Sequence, residues 1–269
     1  MITDMVCVSD KDKLNRSTAR RESAFIKKAD ALAAKGLYDE AVQLIEQVIA
    51  LSPSKAAYYV RLADIYCAQR KLDKAVKSVK RAIDLEPEDL SLHETLLQLY
   101  MELSRFEEAI REAKSILKTH PRNLFVREVL TGALLHCGRL DAALRAVNEL
   151  IALDPTDPSH YFKRAVILQQ KGDLSRAMQE FSRVLLMDPD FDLAEAAREA
   201  IGALDGFQLR QIATLASEDA TFYAKLIRDP ELAVAERGFV LSVAGLLTLK
   251  QIDFQNIPDS DLNLQRYYH

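Results

Sequence analysis

The sequence predicts an all-α fold, and three observations support this prediction. The chain of 269 residues contains only 8 Gly and 8 Pro, too few for a loop-rich β-protein or a disordered chain. Residues that favour helices, above all Ala, Leu, Glu, Lys and Arg, are frequent. Five prolines recur with a constant spacing of 34 residues, which indicates an internal repeat. These prolines are Pro53, Pro87, Pro121, Pro155 and Pro189.

Other positions recur at the same period. When the prolines are placed at position 32 of the repeat, position 20 is alanine in every unit. The alanines are Ala41, Ala75, Ala109, Ala143 and Ala177. The pattern therefore predicts that each repeat forms two antiparallel helices, A and B, with a small residue where helix B crosses helix A. The proline ends helix B, because it has no N–H group and clashes with the preceding turn.

Two positions are less regular. Position 15 is glycine in three units, whereas Arg70 and Ser104 occupy it in the second and third. Glycine suits the end of helix A, since the left-handed conformation is easiest without a Cβ atom. Position 4 is aromatic in three units, but His93 and Arg127 occupy it in the third and fourth.

These positions resemble those of the tetratricopeptide repeat, as in the unit YVRLADIYCAQRKLDKAVKSVKRAIDLEP. The resemblance covers residues 21–191 and implies five helix pairs stacked into a right-handed superhelical solenoid, with the A helices on its concave face. Residues 1–20 are expected to form a flexible N-terminal segment. Residues 192–204 predict an amphipathic capping helix over the last repeat.

The 34-residue period is lost beyond the capping helix. Residues 205–258 predict a small helical module, with helix starts near Asp219 and Asp229 and a helix end at Gly238. Residues 259–269 are expected to be a flexible tail. The segment FYAKLIRDPELAVAERGFVLS resembles leader-like domains of the nitrile-hydratase and Nif11 leader peptide families, which implies that an enzyme docks on it or modifies it. A packed helical cap and a self-association module are the alternatives.

The family resemblance also implies which residues line the concave groove, namely those at positions 2, 5, 9, 12 and 13. These positions include five carboxylates and no Lys or Arg, which disfavours a clamp for an acidic tail. They predict instead a groove for a basic or amphipathic segment of another protein. Two alternatives are that the apolar members belong to the core, or that the chain's own C-terminal segment covers them. The predicted site consists of Val60, Asp64, Glu94, Met101, Phe125, Glu128, Leu135, Phe162 and Val166.

No motif in the sequence predicts catalysis, a cofactor or a metal. Phosphate-binding glycine loops, H-E-x-x-H and G-x-S-x-G do not occur. Cys7, Cys67 and Cys137 are widely spaced and predict neither a disulfide framework nor a zinc site. The net charge of -4 does not favour nucleic acid, and the longest apolar run, residues 239–249, is too short to span a membrane. We expect a cytoplasmic, non-enzymatic adaptor for another protein or peptide; a self-assembling homo-oligomeric scaffold is the alternative.

Overall fold

The computed structural model describes the backbone of residues 2–190 and 192–252 and the side chains of residues 18–190 and 192–252. Within these ranges the chain forms fourteen α-helices and no β-strand, which confirms the predicted all-α fold. The chain divides into two compact units, Met1–Cys137 and Gly138–His269. The segment 259–269, predicted to be a flexible tail, lies outside the described residues.

In the first unit, A helices and B helices of the repeats alternate along the chain. Helix A of the first repeat extends back to Ile2, so residues 2–20 belong to a helix of 33 residues rather than to a separate segment. The helices are α1 (Ile2–Ala34), α2 (Tyr38–Leu51), α3 (Ala56–Ala68), α4 (Leu72–Leu85), α5 (Leu90–Glu102), α6 (Phe106–Thr119) and α7 (Leu124–His136).

The second unit completes the repeats and adds the C-terminal helices. Asp219 and Asp229 accept hydrogen bonds from backbone N–H groups at the starts of two helices, as the sequence predicts. The predicted capping helix and the start of the predicted module form one helix of 25 residues, without a break near residue 204. The helices are α8 (Leu140–Leu153), α9 (Pro158–Gln170), α10 (Leu174–Met187), α11 (Ala194–Glu218), α12 (Ala220–Arg228), α13 (Pro230–Glu236) and α14 (Val243–Gln251).

The alanines at position 20 are fully enclosed in both units. All five side chains have 0% of their surface exposed. A methyl group at this position lets the two backbones of a repeat approach closely, and a larger side chain would separate them. The sequence prediction for this position is therefore consistent with the packing.

Position 15 adopts a left-handed backbone in every repeat, including the two that lack glycine. Arg70 has φ 58° and Ser104 has φ 55°, close to the values at Gly36, Gly138 and Gly172. After α5, the N–H groups of residues 104 and 105 donate to carbonyl groups of the last helical turn at 3.0 and 2.8 Å. This hydrogen-bond pattern ends helix A and fixes the position of helix B.

Replacing Ser104 with glycine is expected to raise the free energy of unfolding by about 0.5–1 kcal/mol. The gain arises because a left-handed conformation costs a residue with a Cβ roughly 1–2 kcal/mol, of which the greater flexibility of unfolded glycine offsets part. Urea denaturation measures the change. The reverse substitution, Gly36→Ser, is the matched control and should lower stability, although an added Cβ would meet nothing within 4 Å. A loss of stability in Ser104→Gly would contradict this explanation.

The residues at position 4 differ in type between repeats but make the same hydrogen bond. In four repeats its side chain reaches the carbonyl oxygen of the proline six residues earlier and ties helix A to the preceding loop. A tyrosine, a histidine or an arginine can serve, because each carries a polar hydrogen at the required reach. The pairs are Tyr59 with Pro53 at 3.1 Å, His93 with Pro87 at 3.0 Å, Arg127 with Pro121, and Tyr161 with Pro155 at 3.0 Å.

The stability of the third repeat is expected to fall with rising pH because of His93. Its imidazole also contacts the carboxylate of Glu112. Burial alone would lower the pKa of His93, but the hydrogen bonds to Glu112 and Pro87 and nearby negative charges raise it above its usual value. The stabilisation is thus complete below pH about 6.5, the unfolded pKa, and is lost as the pH rises through the folded pKa.

Urea denaturation at a series of pH values tests this expectation. His93→Tyr is the matched control, since Tyr59 and Tyr161 make the same hydrogen bond and the substitution removes the imidazole. The pH dependence of the control should be flatter between pH about 6 and 8. Equal slopes in the two proteins would contradict a stabilising, protonated His93.

Candidate protein-binding surface

The predicted groove residues lie on the A helices of both units. None of the nine is fully buried: Asp64 is exposed and the other eight are half-buried. Leu62 and Leu96, on the same helices, belong to the core with 8% and 2% of their surface exposed. The A helices therefore keep apolar and acidic side chains at the surface. Seven of the nine, from Val60 to Leu135, belong to the first unit. The other two, Phe162 and Val166, belong to the second.

In the first unit, the surface between α5 and α7 is closely packed. A Cβ atom on Gly132 would lie 3.6 Å from the terminal carbon of Met101, so the methionine covers this glycine. At the end of α7, the ring of His136 stacks on Phe106 with centroids 4.5 Å apart and planes 3° apart. Met101 and the stacked pair thus give this part of the surface a largely apolar floor.

The acidic residues of the first unit are partly compensated by groups that lie outside the predicted groove positions. Arg61 pairs with Asp30 at 2.8 Å, and Arg70 pairs with Glu102 at 2.6 Å. The side-chain amide of Asn123 donates to Glu94 at 2.8 Å. A count of charges at positions 2, 5, 9, 12 and 13 alone therefore overstates the negative charge of this surface.

The carboxylate of Asp64 on α3 lies in the least compensated part of this surface. Surrounding protein raises the pKa of Asp64, and the charge of Arg61 opposes this only in part. One turn along the helix, burial raises the pKa of the Cys67 thiol, and the charges of Asp64 and Glu102 raise it further. Cys67 is therefore protonated at neutral pH and is a poor nucleophile.

The second unit presents a different surface on its A helix. The ring of Phe162 packs edge-on against buried Phe181, with centroids 5.4 Å apart. Phe162 and Val166 both lie against the core of the fifth repeat. Ser159, Gln169 and the neighbouring groove positions of α9 carry no charge. The groove positions of α9 are therefore apolar or neutral, although Lys163 occupies the same repeat position as Arg61 of the first unit.

Sequence reasoning did not identify two buried polar residues on α11, Asp205 and Gln208. The amide of Gln208 donates to the Val240 carbonyl at 2.8 Å and accepts from the Val240 N–H at 2.9 Å. Asp205 accepts from the Ser242 N–H at 2.8 Å and from the Ser242 hydroxyl. Burial raises the pKa of Asp205, while these hydrogen bonds lower it. Both residues hold the chain that leads into α14.

The matches to protein families follow the repeats. Models described as tetratricopeptide repeat match residues 32–100, 100–163 and 132–202. The chain belongs to the tetratricopeptide repeat family. This confirms the resemblance of the repeats, whereas the leader-like resemblance of residues 222–242 lies beyond these matches and stays a prediction. In the described part of the chain, no helix combines the length and apolarity needed to cross a membrane.

Solved structures with the same fold include two proteins, MamA and YrrB. MamA from Desulfovibrio magneticus RS-1 is 13% identical, with a TM-score of 0.55 over 64% of this chain and 97% of its own. YrrB, described as a TPR protein with an unusual peptide-binding site, is 19% identical, with a TM-score of 0.54 over 65% and 90%. Another MamA structure is 17% identical, with a TM-score of 0.56 over 64% and 93%. No match was found among curated proteins.

Proposed function

We propose that this tetratricopeptide repeat protein is a non-enzymatic adaptor that binds a segment of a partner protein on its A helices. The observation that carries the proposal is that these helices leave apolar side chains half-buried beside Asp64. Burying such side chains against a partner is favourable at about 25 cal/mol per Å² of apolar surface. The description of YrrB as having a peptide-binding site supports a peptide as the kind of ligand.

The chemistry of the two surfaces favours a basic, amphipathic segment. In the first unit, a lysine or arginine of the ligand would relieve the unfavourable environment of the Asp64 carboxylate. Apolar side chains of the ligand would cover Val60 and Met101. In the second unit, Phe162 and Val166 offer apolar side chains to the ligand. A ligand with one apolar face and scattered cations would suit the surface of either unit.

Binding of a synthetic amphipathic peptide of leucine and lysine, measured by fluorescence anisotropy, tests the proposal. The variant Asp64→Lys, Glu94→Lys, Glu128→Lys should weaken binding at least about tenfold, a loss of roughly 1.4 kcal/mol. The matched control is Glu40→Lys, Glu46→Lys, Asp73→Lys, which makes the same change in net charge on B helices. Equal losses in both variants would show that the A helices are not the binding site.

Labelling of Cys67 provides a second, independent measurement. In a variant with Cys7 and Cys137 replaced by serine, bound peptide should slow the reaction of Cys67 with a maleimide. Asp64→Asn should speed this reaction in the free protein, because the negative charge that disfavours the thiolate is removed. A labelling rate that bound peptide does not change would place the peptide away from α3.

Two alternatives stay predictions. In a self-assembling scaffold the chain would be oligomeric at micromolar concentration, which sedimentation velocity measures. If an enzyme docks on the C-terminal helices instead, the partner would still bind after the A-helix variant above.

A further inference from the structure

The B helices α4 and α6 of the first unit carry an exposed cluster of cations, which we call the basic face. It consists of Lys77, Lys80, Arg111, Lys114 and Lys118, and all five side chains are exposed. Among the residues that the structure describes, none of these five forms an ion pair. Lys80 contacts the ring of Tyr100, with its ammonium nitrogen 5.7 Å from the centroid.

Three acidic residues near the basic face contact other side chains that can carry a positive charge. Asp84 pairs with Arg81 at 3.5 Å, and Glu108 pairs with Arg105 at 2.7 Å. Glu112 contacts His93. These three carboxylates therefore form no ion pair with the basic face, although the charge of Arg111 contributes to the lowered pKa of Glu108.

The basic face is confined to two neighbouring repeats. Lys77 and Arg111 occupy position 22, and Lys80 and Lys114 occupy position 25. The other three repeats carry a single cation at these positions. Their residues are Gln43, Glu46, Arg145, Asn148, Gln179 and Ser182. A cluster of one sign in a chain of net charge -4 is a local feature rather than a consequence of composition.

The contacts among the cations of the basic face do not stabilise the helices that carry them. Lys77 and Lys80 are three residues apart, as are Arg111 and Lys114, and Lys114 and Lys118 are four apart. Like charges at these spacings face each other on a helix and cost about 0.2–0.5 kcal/mol per pair. On α8, by contrast, Arg145 lies between Asp141 and Glu149, so the two signs alternate.

We propose that the basic face binds an acidic helical segment of a partner protein. Carboxylates three or four residues apart on such a helix would match the cations of α4 and α6, which are spaced about 4.5–6 Å apart along the helix axis. This is a second surface, separate from the A-helix residues proposed above.

An acidic protein segment fits the basic face better than nucleic acid or membrane. The described residues of α4 and α6 include no exposed large hydrophobic side chain. Nucleic-acid bases therefore have no exposed aromatic side chain on these helices to stack on. These helices also have no exposed large apolar side chain to insert into a bilayer. The net negative charge of the chain also opposes a long polyanion, whereas a short acidic helix needs only the local cluster.

The test uses an alanine-based helical peptide with glutamates spaced three and four residues apart, and a second peptide with glutamine in their place. The full chain should bind the glutamate peptide, with affinity falling as salt rises, and should not bind the glutamine peptide. Lys77→Gln, Arg111→Gln, Lys114→Gln should weaken binding about tenfold or more, a loss of roughly 1.4 kcal/mol. The control Arg20→Gln, Lys27→Gln, Lys28→Gln removes three exposed cations of α1 and should bind as before.

Urea denaturation separates binding from folding. The basic-face variant should be about as stable as the unmodified protein, because it removes repulsive pairs of cations and favourable i,i+4 pairs with Asp73 and Glu107 of similar magnitude. Tighter binding to a DNA duplex or to phosphatidylserine vesicles, lost in the same variant, would overturn the assignment to an acidic protein segment. Absence of binding to all three probes would overturn the basic face as a binding surface. The A-helix variant should still bind the glutamate peptide.

Discussion

Replacing Gly245 with alanine is expected to destabilise the C-terminal helices by about 3 kcal/mol, near the upper end of the usual cost of overpacking. A Cβ atom on this residue would lie 2.5 Å from both the carboxyl carbon and one oxygen of Asp205. Asp205 cannot simply move away, because it is buried and accepts two hydrogen bonds from Ser242. Relief of the overlap requires α14 to shift away from α11 or the buried carboxylate to lose its partners, and either change is unfavourable.

Gly202→Ala is the matched control for this substitution. Gly202 also lies within a helix, but a Cβ atom there would meet nothing within 4 Å. Alanine should therefore leave stability unchanged or raise it by about 0.5–1 kcal/mol. Urea denaturation followed by circular dichroism compares the two variants, and hydrogen exchange of amides in α14 locates the effect. A cost for Gly245→Ala no larger than that for Gly202→Ala would contradict the close approach.

A double-mutant cycle links the cost to Asp205. Asp205→Ala removes the carboxylate and makes room for a methyl group at position 245. In that background Gly245→Ala should cost much less than in the unmodified chain. If the two costs add, the destabilisation must have another origin than the contact between α11 and α14.

The repeats could be predicted in detail because each position is observed five times. Left-handed backbone at Ser104 follows from the glycines at the same position in other repeats, although serine alone gives no such signal. Helix starts at Asp219 and Asp229 follow from local sequence. By contrast, Asp205, Gln208 and Gly245 lie in a part of the chain that is not repeated, and their contacts join residues more than thirty positions apart. A single sequence contains no pattern that reports such pairs.

The predicted binding surface illustrates a second limit. Family positions identified side chains on the A helices that the structure leaves accessible, including Asp64 and Met101. They did not reveal that Arg61 and Arg70 pair with acidic groove residues, because these cations lie at positions that the family does not assign to the groove. The charge of a surface depends on every side chain that reaches it, and a list of groove positions omits long arginines from neighbouring positions.

Replacing Phe181 with alanine is expected to destabilise the fifth repeat by about 3–5 kcal/mol, the usual cost of removing a buried aromatic side chain. Phe181 on α10 has none of its surface exposed and lies at the centre of the core of this repeat. Leu186→Ala is the matched control, since Leu186 lies on the same helix with 86% of its surface exposed. The control should change stability by less than about 0.5 kcal/mol in urea denaturation.

Phe181 also connects the core to the proposed binding surface, because the ring of Phe162 rests edge-on against it. The milder substitution Phe181→Leu should cost about 1–1.5 kcal/mol and leave the protein folded. It removes the aromatic support of Phe162 without changing any surface residue. Binding of the leucine–lysine peptide should then weaken in a fully folded protein. Unchanged affinity in folded Phe181→Leu would show that the position of Phe162 does not matter for binding of this peptide.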